Sequence, residues 1–474
     1  MTNPPSGPLS RFLTSHHAYH FGATLHRASE VAGPREGIQR VGPMDLTVLA
    51  SDRGAVPMNI GAVLEFDEQS VPSMATMREL LQARIPGVTR LRQKLYRPPL
   101  GCGRPIWVDD PKFRLDEHLS EQAWPAPGGR RELLDVAADL VCRRLQAERP
   151  LWRACLVIGQ DRPQAALVLV MHHVLADGLG GLAAVGALAD PGTTAPDRDY
   201  PLPPPSRRDL AVDAARERIA TLAVAPRNFR RALSGLRELG LAREGPHLIE
   251  HTSLHGRTSE RRRLTTIELS LTKIITLAHR FGGTVNDVIL AGVSGALLAA
   301  MRARGEHPSR LVISVPVSGR GAASADRLGN DTGVRPIAVP AIDDDYARLI
   351  RIVALRRAQA EAPRASSAGP LGVAFRLLSR FGLFRMFVDH QRLVHTFETN
   401  LRGPSVAMSF GGHPIRAMTP MVVNPGNVGI SFVVLSYAGV LGVTLVADPQ
   451  IVPDQDAIAE SFEAVCQRLL TTRT

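Results

Sequence analysis

Lysine is nearly missing from this chain. It stands only at positions 94, 112 and 273, so the formal net charge of +11 is carried almost wholly by arginine. Such an excess favours anionic partners such as nucleic acid, anionic lipid headgroups or a phosphorylated cofactor, and it says nothing about fold. A genomic bias toward arginine codons explains the same composition as well. Cysteine is scarce too. Cys102, Cys142, Cys155 and Cys466 are scattered and form no CxxC pair, which argues against a zinc site and a disulfide framework. Reduced, cytosolic thiols fit this usage best. No apolar run reaches the roughly 20 residues of a membrane-spanning helix; the nearest, Val288 to Met301, stops at Arg302. The Pro-rich opening MTNPPSGPLSRFL lacks the apolar stretch of a secretory signal. Nothing matches a Walker phosphate loop or a C2H2 finger. A membrane contact is therefore expected only at the bilayer surface.

What is present reads as a two-lobed α/β protein. A chain of 474 residues is too long for one ordinary core, and 44% hydrophobic with 21% charged residues is a globular balance. Residues 1–40 are expected to be a flexible arm. A first α/β lobe is expected over 41–190. It holds a strand over Asn59 to Phe66, a helix over Met77 to Leu91 interrupted at Pro86, a helix over Leu133 to Gln146, and a strand over Trp152 to Ile158. Ala165 to Met171 (AALVLVM) is continuous and apolar at strand length, as in a buried central strand. Residues 191–250 read as a Pro-rich linker followed by basic crossover helices. A second α/β lobe is expected over 251–474, closing with strands Val428 to Tyr437 and Val440 to Ala447 and a helix from Asp454 to Leu470.

The chemistry concentrates in Met171 to Gly181, MHHVLADGLGG. A strand end followed by a loop is a common site for catalytic groups in α/β proteins. Side chains on a strand alternate faces, so His172 and His173 are expected to point to opposite sides, with only one facing a given cavity. Asp177 lies four residues on, and Gly178, Gly180 and Gly181 let the chain turn and approach a ligand closely. Other readings compete. Zinc motifs usually space two histidines by a helical turn, not side by side after a strand. Gly178-Leu179-Gly180 with Ala183 nearly matches a dinucleotide fingerprint, but the second strand ending in an acid is replaced by the Pro-rich linker. Two structural histidines is the bland alternative; position, acid and glycines together favour function. Gly292-Val293-Ser294-Gly295-Ala296 approaches a nucleophile elbow, yet it lies within a helix and ends in Ala, so Ser294 reads as packing.

His172-His173-Val174-Leu175-Ala176-Asp177-Gly178 matches the HHxxxDG motif of the condensation-type, CoA-dependent acyltransferases. Further segments follow in order: Pro43-Met44-Asp45, Pro57-Met58-Asn59-Ile60-Gly61, Arg149-Pro150-Leu151-Trp152, Thr284-Val285-Asn286-Asp287-Val288, Val315-Pro316-Val317-Ser318, Gly329-Asn330, Thr399-Asn400-Leu401-Arg402-Gly403-Pro404, Leu435-Ser436-Tyr437 and Leu445-Val446-Ala447-Asp448. From about residue 40 to the end the chain resembles the bacterial wax ester synthase/diacylglycerol acyltransferases, in particular actinobacterial triacylglycerol synthases. It departs from that pattern at Thr399 for the usual Ser, at Leu401-Arg402 for Val-Pro, and at Gly319 for a larger residue before Arg320. The N-terminal arm is also longer.

The resemblance implies two chloramphenicol-acetyltransferase-like lobes, with mixed sheets flanked by helices and a tunnel between them. Acyl-CoA would enter at one mouth as co-substrate and diacylglycerol or a long-chain alcohol at the other, with no resident cofactor, no metal and no nucleic acid. His173 would be the general base, a role that suits an imidazole with an unperturbed pKa near 6.5. His172 and Asp177 would support it, the acid by ordering the loop. Gly178, Asn286, Asp287, Asn400 and Ser436 would bind substrate or support the site, Asn400 or Ser436 by polarising the oxyanion. Wax ester synthesis, transfer to another lipid alcohol, and an inactive lipid-binding paralogue are the rival readings. Leu371 to Phe397 carries Phe and Leu at helical spacing with interspersed Arg, as in a segment lying in a bilayer interface or an ordinary packed helix. The implied location is cytoplasmic, peripheral to the inner membrane or lipid droplets.

Overall fold

A computed structural model of the chain describes residues 37–52, 54–192, 199–220, 248–318, 332–361, 378, 383–424 and 426–471. The arm before residue 37, the region 221–247 and most of 362–382 lie outside the described residues. In chain order the first part holds α1 (Pro43–Ser51), β1 (Asn59–Phe66), α2 (Met74–Arg84), β2 (Gln93–Tyr96), β3 (Ile106–Asp109), β4 (Leu119–Ala123), α3 (Arg130–Cys142), β5 (Trp152–Ile158), β6 (Ala165–His172) and α4 (Gly178–Leu188). There follow β7 (Arg263–Ser270), α5 (Leu271–Arg280), α6 (Val285–Ala303), β8 (Arg310–Ser318), β9 (Thr332–Pro340), α7 (Asp345–Glu361), α8 (Phe384–Asp389), β10 (Thr396–Arg402), β11 (Ser409–Phe410), β12 (His413–Val422), β13 (Ile430–Tyr437), β14 (Val440–Ala447) and α9 (Gln455–Thr471).

Two six-stranded mixed sheets result, ordered β11-β12-β1-β6-β5-β4 and β7-β14-β13-β10-β8-β9. The first takes two strands from the C-terminal part of the chain. β12 runs antiparallel to β1, pairing Ile60 with Val422 and Leu64 with Met418. The lobes are thereby joined by backbone hydrogen bonds as well as by packing. Every residue of β6 is buried, which explains its unbroken apolar run. Leu167, Leu169 and Met171 face one core with α2 and α4, while Val168 and Val170 face α3. That second cluster reaches Leu264, Val433 and Val446 of the other sheet, so α3 is held between the lobes.

α6 is the buried axis of the second lobe, with Val288 to Leu298 inaccessible along its length. By length and composition it would cross a membrane; here it is a core helix. Its Ser294 lies deep inside, donating to Leu290 O at 2.6 Å. Two helices are shorter than their apolar spacing predicts. α2 ends at Arg84 because Pro86 imposes a 3-10 turn, and α3 ends at Cys142, where Arg143 is already extended. The linker is not wholly loose. The guanidinium of Arg92 lies 3.8 Å over the Tyr200 ring, and Arg40 holds residues 207–220 through Asp213 Oδ2 at 2.6 Å and Leu210 O at 3.0 Å.

Candidate active site

The last residues of β6 are fixed from both sides. His172 N–H donates to Leu151 O at 2.9 Å, and His173 N–H to Met58 O at 2.7 Å. Two of the sequence segments singled out above therefore serve as the strand's neighbours. Asn59 gives the first of them a further duty: its Nδ2 donates to Val141 O at 2.9 Å and Arg143 O at 3.0 Å, closing the end of α3. Trp152 anchors the other, with Nε1 donating to Leu91 O at 2.7 Å and its ring stacked 4.6 Å from His118.

The two imidazoles go to different surroundings. His172 is buried. Its Nδ1 accepts from Val174 N–H at 3.1 Å, which assigns the ring proton to Nε2, 3.3 Å from Asp52 Oδ2. Asp52 also accepts from Met58 N–H at 3.1 Å and Arg144 at 2.8 Å. Burial alone would raise the Asp52 carboxyl; His172, the Met58 amide and Arg144 outweigh it and hold the group below the usual range. Asp52 was not visible as a partner in the sequence, 120 positions away. His173 instead lines a cavity between the lobes.

Asp177 caps α4. Its Oδ1 accepts from Gly180 N–H at 2.9 Å, and the residue is buried. This fixes the first turn of α4 immediately after the histidine loop. A Cβ at Gly178 would lie 3.0 Å from both δ-methyls of Leu401 on β10, so a larger residue there obliges Leu401 to shift. The loop of the first lobe and a strand of the second thus meet without a gap.

The cavity is lined almost wholly by apolar side chains and is partly open to solvent. Ile60, Leu169 and Met171 form one wall, Met418 and Met421 of β12 another, and Thr399, Leu401, Val433 and Leu435 the wall from the second sheet. His173 is the one ionisable residue among the described residues lining it. Gly61 keeps β1 tight at its back, since a Cβ there would fall 2.4 Å from Leu169 O.

Asn286, Asp287, Asn400 and Ser436 do not line this cavity. Thr399 and Leu401 alternate with Asn400 along β10, so the carboxamide turns to the opposite face, where Asn400 Nδ2 donates to Asn286 Oδ1 at 3.0 Å. Ser436 follows the same alternation on β13, whose Leu435 lines the cavity. Asp287 caps α6, accepting from Thr284 N–H at 2.7 Å and from Arg356 Nε at 2.8 Å. The polar side chain that the second lobe does present is Thr399. Glu398, one residue earlier, is fully buried, and burial pushes its carboxyl up to about 8. Among the described residues no group of three or more His, Cys, Asp or Glu side chains is arranged to hold a metal ion.

This geometry has relatives. The wax ester synthase/diacylglycerol acyltransferase catalytic domain matches residues 41–289, and the corresponding C-terminal domain matches 334–469. The chain is 28% identical over 432 residues to the probable diacylglycerol O-acyltransferase tgs1 of Mycobacterium tuberculosis (strain ATCC 25618 / H37Rv), covering 88% of this chain and 92% of that protein. It is 28% identical over 499 residues to Rv1760 of the same strain, a protein also named for diacylglycerol O-acyltransferase activity, covering 98% and 97%. In fold it is similar to the wax ester synthase/diacylglycerol acyltransferase of Marinobacter aquaeolei VT8, with a TM-score of 0.64 at 21% identity over 91% of this chain and 98% of that one. The starter condensation domain of rhizomide synthetase RzmA, solved with C8-CoA, is similar with a TM-score of 0.62 at 15% identity over 92% and 96%.

Proposed function

Because the chain belongs to the wax ester synthase/diacylglycerol acyltransferase family of acyl-CoA-dependent acyltransferases, we propose that it esterifies diacylglycerol to triacylglycerol with His173 as general base. The observation that carries this reading is the place of His173 on the wall of an apolar inter-lobe cavity, where it is the one ionisable side chain among the described lining residues. An alcohol is a poor nucleophile near neutral pH, and a neutral imidazole is suited to take its proton. As the O–H proton passes to His173, the alcohol oxygen attacks the thioester carbonyl. The tetrahedral oxyanion then collapses, the C–S bond breaks, and the CoA thiolate leaves with the proton from His173. Ester and free CoA result, and no acyl-enzyme is needed.

The apolar walls favour long acyl chains and limit hydrolysis of the thioester by water. His172 is a positioning residue in this scheme: locked to Asp52 and Val174, it fixes the backbone that carries His173. Asp177 serves as a cap and not as a proton carrier. Diacylglycerol resides in lipid, so we place the protein peripherally at the inner membrane or lipid droplets. Leu383, just before α8, and Met386, within it, are exposed and suit such a contact. Phe384, in the same Phe- and Leu-rich segment, is buried.

The test uses purified protein with labelled palmitoyl-CoA and either diacylglycerol or hexadecanol, read by lipid chromatography and by thiol release. Labelled triacylglycerol is the expected product. Wax ester alone would reassign the acceptor. No thiol release with any alcohol in a panel would make the protein a lipid binder.

A further inference from the structure

Glu398 stands at 0% exposure in the middle of β10; among the described residues neither carboxyl oxygen is in full hydrogen-bond geometry, and the Asn286 carboxamide is the polar group that reaches it. A buried ionised carboxylate in that situation would be severely penalised. The group that bears on its charge, apart from burial, is the Asn286 carboxamide. Among the described residues no charge acts on it. β13 places Phe432 opposite it, which stacks 6.2 Å from Phe462 of α9, and β8 contributes the buried Ile313 beside the start of β10. The acid next to Asn286 on α6, Asp287, is engaged by Thr284 and Arg356.

The position is mechanically sensitive. β10 pairs along its length with β13, but with β8 only at Thr396 and Phe397. Among the described residues the β8 side of the strand has no ladder partner beyond Phe397, and the side-chain bond from Asn400 to Asn286 ties it to α6. Glu398 and Asn400 share a face by alternation, next to the same Asn286. On the reverse face, Thr399 and Leu401 line the cavity, and Leu401 abuts Gly178 at the histidine loop.

We propose that Glu398 is a positioning residue for the acyl transfer: an uncharged carboxylic acid that, with Asn286 and Asn400, seats β10 against the first turn of α6 and so holds Thr399 and Leu401 in register with His173. The assignment of its catalytic consequence rests on the acyl-transfer reading above. Ionising the acid forces the strand to move or admit water, and the disturbance reaches the loop through the contiguous contact of Leu401 with Gly178.

The experiment compares the full-length wild type with Glu398→Gln, which is uncharged at every pH. The first readout is kcat and KM for palmitoyl-CoA, with the best acceptor, from pH 6.5 to 9.5. Wild-type kcat is expected to fall above about pH 8, approaching tenfold per pH unit, with KM little changed. Glu398→Gln is expected to keep its activity at pH 7 and to lose that alkaline limb. An unchanged alkaline limb in Glu398→Gln, or a folded Glu398→Gln inactive at pH 7, overturns the proposal. The second readout is thermal melting from pH 5 to 8 and needs no substrate. The folded carboxyl titrates above its unfolded counterpart, so the folded state binds more protons across this window and loses stability as pH rises. The melting temperature of Glu398→Gln should therefore gain steadily on the wild type up to pH 8. A constant difference overturns the uncharged acid. A rising difference in a protein that acylates nothing sinks the acyl-transfer reading instead, so the two failures are separable.

Discussion

Replacing each of the two adjacent histidines with alanine should produce opposite damage, and the structure sets the size of each. His172→Ala removes the Nδ1 acceptor of a buried Val174 N–H and the Nε2–H that faces Asp52. A buried group left without its partner costs about 1–3 kcal/mol. Asp52 keeps Arg144 and the Met58 amide, so its share is at the low end. Adding the void of a lost ring gives a destabilisation of about 2–4 kcal/mol. His173→Ala truncates a half-buried ring on a cavity wall while its backbone N–H bond to Met58 remains. Its stability cost should stay near 1 kcal/mol. Its kinetic cost should be large, because in the proposed mechanism one group both accepts the alcohol proton and returns it to the thiolate. Removing general acid–base catalysis costs about 10²–10⁴-fold in rate, or about 3–5 kcal/mol of barrier. Urea unfolding followed by circular dichroism measures the first quantity, and thiol release by folded protein measures the second. Folded His173→Ala with full turnover would refute the mechanism. A His172→Ala protein as stable as the wild type would refute the account of the Asp52 contact.

Four further expectations follow from particular contacts. Gly178→Val should lower kcat by about tenfold or more, since its side chain must displace Leu401 or the histidine loop; adding Leu401→Ala should restore part of the loss, and strict additivity in the double-mutant cycle would deny the contact its role. His395 is buried with Nδ1 accepting from Val312 N–H at 3.0 Å, and burial with the neighbouring His255 lowers it from 6.5 to about 4; the unfolded chain then binds more protons between those values, so stability should fall by up to about 3 kcal/mol as pH drops from 6.5 to 4, and should fall less in His395→Gln. Turnover should survive EDTA, whereas loss on chelation with recovery on adding zinc would revive the metal reading of His172, His173 and Asp177. Sedimentation with anionic liposomes should weaken with salt and with Leu383→Asp plus Met386→Asp; unchanged binding by that folded double mutant would place the attachment elsewhere.

The primary sequence carries whatever depends on neighbours along the chain. The uninterrupted apolar run of β6 requires a strand covered on both faces. Adjacency of His172 and His173 at its end requires them to diverge. Thr284 followed three residues later by Asp287 specifies the start of α6. The ordered set of motifs identifies the family, and with it the acyl transfer and the two-sheet architecture. All of these are local patterns or patterns in order, and both survive in a linear string.

Tertiary structure alone decided what depends on residues distant in sequence. That His172 faces Asp52, and that Leu401 abuts Gly178, are contacts made across 120 and 223 positions. The recruitment of β12 into the first sheet is a pairing choice, and antiparallel ladders are set by which edges meet in space, not by the strand's own composition. The motif around Asn400 was readable, but its facing was not. Alternation says that Thr399 and Asn400 diverge; only the packing of the second sheet against α4 on one side and α6 on the other says which of them meets the cavity. Burial likewise pushes the Glu398 carboxyl up, a property that belongs to its surroundings and not to the residue.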